Sequence, residues 1–149
     1  MNSQNEQNAY PTDDLEALVK LMNEKQQIAF KQAVVRQTIY YVSKHLPSEA
    51  NDEGEHSFIA IANQWIENPT EKNADNAMMS VVADSIDGGA RYFDYPVYFH
   101  NPAIAAGSNT HYAAQTALES AENDSKSAYQ WQMTTALAIL NNEELPLLP

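Results

Sequence analysis

The chain has 149 residues, 20 acidic and 8 basic side chains, a net charge of −12 and no cysteine. That length suits a single domain able to bury a real core. The missing cysteine removes disulfides, thiolate metal sites and thiol nucleophiles, and the acid balance argues against direct nucleic acid or an anionic membrane, whose phosphates it would repel. The acid is also unevenly placed, since residues 1–46 balance to zero and residues 47–149 carry all twelve negative charges.

The start, MNSQNEQNAYPT, has neither a basic segment nor an apolar run of signal-peptide length, and no stretch of about eighteen apolar residues occurs anywhere. The expected setting is cytoplasmic, without a membrane. Residues 1–11 are polar and Asn/Gln-rich, which predicts a disordered N-terminus, followed by a helical domain over 12–140 and a C-terminal tail over 141–149.

Thr12, Asp13 and Asp14 offer N-caps for a first helix whose buried stripe is Leu15, Leu18, Val19 and Met22, with Glu16 in capping-box register to Asp13. The polar stretch Asn23 to Gln27 either joins two helices or lies on the wet side of one. Ile28, Val35, Ile39, Val42 and Leu46 then recur at helical spacing, while Arg36, Tyr40 and Lys44 line another face, and Pro47 ends the run. The loop SEANDEGE follows, holding Glu49, Asp52, Glu53 and Glu55. It is too polar to bury.

Phe58, Ile61, Ala62 and Trp65 make a short amphipathic helix that Asn68-Pro69 ends, and Thr70 caps the next one. That fourth helix is expected to turn Ala74, Ala77, Met78, Val81, Val82 and Ile86 inward and Asn76, Ser80, Asp84 and Asp87 outward, with Gly88-Gly89 at its end. Residues 90–100 hold Tyr92, Phe93, Tyr95, Tyr98 and Phe99, five of the chain's twelve Tyr and Phe, and Pro96 and Pro102 oppose a regular helix through them. They read as an aromatic connector.

Asn101 and Pro102 look like an N-cap and first helical residue of a long fifth helix, with Ala103, Ala106, Gly107, Thr110, Ala113, Ala114, Ala117, Leu118 and Ala121 on one side and Ser108, Gln115, Glu119 and Glu122 on the other. Small residues of this kind allow close axial approach. A last helix opens near Asp124 or Ser125 with the stripe Tyr129, Met133, Ala136, Leu137 and Leu140, and Leu145, Leu147 and Leu148 of the tail are expected to pack back onto the body. The fold expected is all-α, a single-domain bundle of five to six helices with an aromatic, proline-containing connector near 90–102.

No reaction motif accompanies this pattern. His45, His56, His100 and His111 form no metal-ligand spacing, and HExxH, EF-hand, GxSxG, SxxK and phosphate-cradling glycine loops are missing. Carboxylate pairs such as Asp84/Asp87 and Glu119/Glu122 read as solvated faces rather than acid–base pairs. The reading is therefore no enzyme, no metal and no cofactor. Tyr and Arg dominate interface hot spots, which singles out Tyr95 and Tyr98 of the connector. A one-sided acidic surface attracts a cationic one, which adds Glu49, Asp52, Glu53, Glu55, Asp84, Asp87 and Asp94. These nine are the candidate partner-binding residues, meeting a basic protein.

The helix ending in HLP (His45 to Pro47), the tryptophan helix closing in WIENPT (Trp65 to Thr70), the alanine-bearing helices around 74–83 and 103–121 and the YQWQ segment (Tyr129 to Gln132) resemble small all-helical bacterial proteins described as putative immunity proteins of polymorphic toxin systems. The aromatic residues and two prolines of 90–102 depart from that pattern. The resemblance implies a cytoplasmic protein that neutralises a toxin by covering it. Two other readings fit the same residues: a phage- or plasmid-borne acidic inhibitor of a defence complex acting as a DNA mimic, and a scaffold whose small-residue helix faces pair into a homodimer.

Overall fold

Four helices of this protein begin where a short polar side chain satisfies a free N–H group of the first turn. The computed structural model describes residues 14–45, 57–86 and 99–149, and of residues 45, 57 and 84–86 the backbone alone. Asp14 accepts from the Ala17 N–H at 3.3 Å and opens α1 (Leu15–Lys20). A turn at Leu21 to Asn23 separates it from α2 (Glu24–His45), so the polar stretch is a joint between two helices. Its chemistry is a reciprocal capping box, in which the Gln26 N–H donates to Asn23 Oδ1 at 2.8 Å and the Asn23 N–H to Gln26 Oε1 at 3.0 Å.

The tryptophan helix is α3 (Ser57–Glu67), and Thr70 caps α4 (Glu71–Ile86) by accepting from the Asn73 N–H at 3.1 Å. The expected long fifth helix is broken into α5 (Asn101–Gly107) and α6 (Thr110–Ala121). Ser108 turns extended, and Asn109 starts the chain again by accepting from the Tyr112 N–H at 2.8 Å. Nor does Asn101 act as the cap. Its side chain is buried and donates instead to Ser120 Oγ at 3.0 Å, tying α5 to α6. A three-residue 3₁₀ turn, Glu122–Asp124, leads into α7 (Ser125–Leu140). The described residues form an all-helical bundle, and no helix among them is long and apolar enough to cross a membrane.

Helix α2 is the axis of the bundle, packed against α3, α5, α6 and α7, while α4 leans mainly on α3 and α5 and α1 lies against α7. The core contains Leu18, Phe30, Val34, Val35, Phe58, Trp65 and the alanines of α5 and α6. Close approach is literal at Gly107, where a Cβ would stand 2.9 Å from the Met78 Cβ and backbone nitrogen. Of the stripe expected to face inward, Ala77 is buried and Ala74, Met78 and Val81 are half-buried, while Val82 is 43% exposed.

The deepest seam, between α2, α6 and α7, is polar. Gln37, Thr38, Thr116, Gln132 and Thr135 are all buried there. Gln37 Nε2 donates to the Ala128 carbonyl at 3.1 Å, and Gln132 Nε2 to both Gln37 Oε1 at 2.9 Å and the Ala114 carbonyl at 3.0 Å. The threonines return their hydroxyls to carbonyls one turn earlier. Thus α7 buries the expected stripe members Met133 and Ala136 together with Ala128, Gln132, Thr135 and Ile139, while Tyr129, Leu137 and Leu140 of that stripe sit half-buried at its edge, packed against the core.

Residues 143–149 run on without regular structure. Of the leucines expected to pack back, Leu148 is half-buried, but Leu145 is 38% exposed and Leu147 90%. The tail is held through its backbone instead, Trp131 Nε1 donating to the Leu147 carbonyl at 3.1 Å and the Tyr40 hydroxyl to the main-chain oxygen of Pro149.

Candidate functional site

Of the nine residues expected to bind a partner, Glu49, Asp52, Glu53, Glu55, Asp87, Asp94, Tyr95 and Tyr98 lie outside the described residues, and Asp84 is described by backbone alone, within α4. The connector near 90–102 is described only from Phe99 onward. There Phe99 is buried, edge-on to Phe58 at 5.5 Å, and His100 sits 4.8 Å from the same ring.

The surface feature that is described in full is a groove along α6 and α7. Its floor is Leu118 from α6 with Tyr129, Met133 and Leu137, which stand four residues apart on one line of α7. Glu119 and Glu122 edge it, with Ser125 and Lys126 where α7 begins. Sharing Thr134 and Leu137, the depression continues beneath the tail, where Glu143 and Glu144 line it with Ala138, Asn141 and Pro146. Along its length four carboxylates face one ammonium group. Glu119, Glu143 and Glu144 are exposed and form no ion pair among the described residues.

The other end opens, across the shared Leu118 and Tyr129, into a cavity of about 730 Å³ between α1, α2, α6 and α7. Leu15, Val19, Phe30 and Ala114 form its apolar wall, and Ser108, Asn109, His111 and Gln115 its polar one. Charges balance there, Asp14 and Glu16 against Lys20 and Lys31, with Lys20 paired to Glu16 at 3.4 Å. The Tyr129 hydroxyl accepts from the Leu15 N–H at 3.3 Å, fixing α1 over the cavity.

Lys31 is the unusual amine of this region. It is buried, donates to the Ala106 carbonyl at 2.8 Å in the last turn of α5, and lies 4.1 Å above the Trp65 ring. Burial lowers its pKa from 10.5 to about 8. Both of its contacts are structural, one satisfying a helix-end carbonyl and the other placing the cation on an aromatic face. Gln132 also borders the cavity, and its Oε1 is buried without a hydrogen-bond partner.

Sequence reasoning placed Glu119 and Glu122 on the outer side of one helix and read them as a solvated face; both are exposed, Glu119 on α6 and Glu122 in the 3₁₀ turn after it. It assigned Tyr129 and Leu137 to the core stripe. The available signal was their adjacency: along its outer edge the apolar line of α7 has Leu118 and the carboxylates of Glu119 and Glu122 beside it. Comparison with protein-family models, curated proteins and solved structures finds no match.

Proposed function

We propose that this chain is a non-enzymatic binding protein, an inhibitor or immunity protein that covers a basic protein partner with an acidic helical surface. The observation that supports it is the α6–α7 groove, an apolar floor edged by four carboxylates and a single lysine. Carboxylates placed around a half-covered apolar strip steer a cationic surface and then let it finish burying that strip, giving fast and salt-sensitive association. Toxins that act on nucleic acids carry basic clefts, and the likeness to immunity proteins supplies that partner class. Lys31 favours no catalytic role, since its ammonium is already engaged by a carbonyl and an indole.

The scaffold alternative rests on small-residue faces, and those of α5 and α6 are consumed within the bundle: Ala103, Ala105, Ala106, Ala113 and Ala117 are fully buried. The DNA-mimic reading asks for the same acid without the apolar floor, and is distinguished by what the partner does. The test is affinity capture from the native host at low and high salt, with co-expression of the captured protein. A basic protein released by salt, whose toxicity is relieved by this chain, is the expected result. Recovery of no basic protein at any ionic strength contradicts the reading.

A further inference from the structure

The groove has a shape that selects among basic partners. No strand is present among the described residues, so an extended peptide finds no sheet edge to extend. What is offered is the valley between two neighbouring helices, floored by residues at a spacing of four over eight residues of α7, about 12 Å of helix. A helix laid in such a valley contributes apolar side chains at i, i+3, i+4 and i+7. Its flanks would then meet Glu119 and Glu122 at one end of the valley and Glu143 and Glu144 at the other. Lys and Arg on those flanks are the complement. A second copy of this chain, itself at −12, brings like charge to the same edges.

We propose that the α6–α7 groove receives a cationic amphipathic helix of the partner, a proposal that rests on the acidic-inhibitor reading and narrows it to one surface and one secondary structure. The half-buried Leu118, Tyr129 and Leu137 take the apolar face of that helix, with Met133 buried beneath them, and the four glutamates its basic flanks.

The test uses three fluorescent probes at low salt: a synthetic Leu/Lys peptide patterned to form an amphipathic helix, a scramble of the same composition, and polylysine. Each is titrated with the wild-type chain and with three variants. Glu119→Lys/Glu122→Lys reverses one edge of the groove. Thr134→Arg, at an exposed position in its wall, obstructs it. Glu67→Lys/Glu71→Lys makes the same change of charge outside the groove. The expected result is preference for the patterned peptide over its scramble, a loss of about tenfold or more in both groove variants, and a loss of under about threefold in the control. Equal losses from the two charge reversals, with no effect of Thr134→Arg, overturn the groove while leaving an acidic binding protein in place. Failure of all three probes to bind the wild-type chain overturns both. Circular dichroism of each variant reports whether the fold survives.

Discussion

The two sides of α6 are built from different residues and end in different states. Toward α2 and α5 it presents alanines, which are buried, and the neighbouring helices close in on them. Toward the outer side of α7 it presents Leu118 and Glu119, with Glu122 in the turn that follows, and there the valley stays open over Tyr129 and Leu137. Small side chains seal a helix contact because nothing holds the axes apart. A large apolar residue beside carboxylates leaves surface that this chain itself does not cover. The difference separates what holds the fold together from what is available to a partner.

The sharpest way to break the closed side is at Gly107. A side chain there meets Met78 and the Ala74 carbonyl, the latter at 3.0 Å from an added Cβ, and these are backbone or near-backbone atoms that cannot swing away. Gly107→Val is expected to destabilise by about 3 kcal/mol through overpacking, although glycine is itself a poor helix former. Urea titration measures it. An unchanged midpoint would show that the α4–α5 contact is looser than the geometry requires.

Next in size is the polar seam. Gln132→Met strands Gln37 Oε1 without its donor and is expected to cost about 2 kcal/mol, whereas adding Gln37→Met removes the stranded acceptor and recovers part of that loss. A double-mutant cycle reads the coupling. Additive losses would mean that the two amides do not act as a pair.

Lys31 gives a smaller effect with a definite sign. Its folded pKa is lowered to about 8 from 10.5, so the unfolded chain binds more protons between those values. Its contribution to stability is complete above the unfolded value and is lost as pH falls through about 8. Tyr41, whose pKa is raised chiefly by burial, opposes this trend, since its contribution is lost as pH climbs above its ordinary 10. The comparison of wild type with Lys31→Met isolates the lysine: thermal melts should show wild type gaining on the variant as pH goes from about 7 to about 10. Parallel curves would contradict the burial of a charged amine.

Much of the fold was legible because helix ends are written in local chemistry. Asp14, Thr70 and the Asn68-Pro69 stop all act where the sequence places them. The break at Ser108-Asn109 was obscured by alanines that keep helical spacing on both sides of it, although Gly107, Ser108 and Asn109 together are a stop and restart signal. The polar seam was not legible, because Gln37 and Gln132 look like wet residues until the carbonyls of Ala114 and Ala128 arrive from elsewhere in the chain. The groove was half legible. Periodicity marks Tyr129, Met133 and Leu137 as an apolar line, and only the packing shows that two of them sit at an edge.

The open side should be nearly silent in stability, with Glu119→Lys/Glu122→Lys changing it by less than about 0.5 kcal/mol, as exposed positions do. Its response to a ligand is therefore the most direct test of the account. Amide chemical shifts followed by NMR during titration with the patterned Leu/Lys peptide should move mainly along Leu118–Glu122, Tyr129–Leu137 and Glu143–Glu144. Shifts concentrated instead around Glu67–Asp75, or spread evenly over the acidic surface, would contradict it.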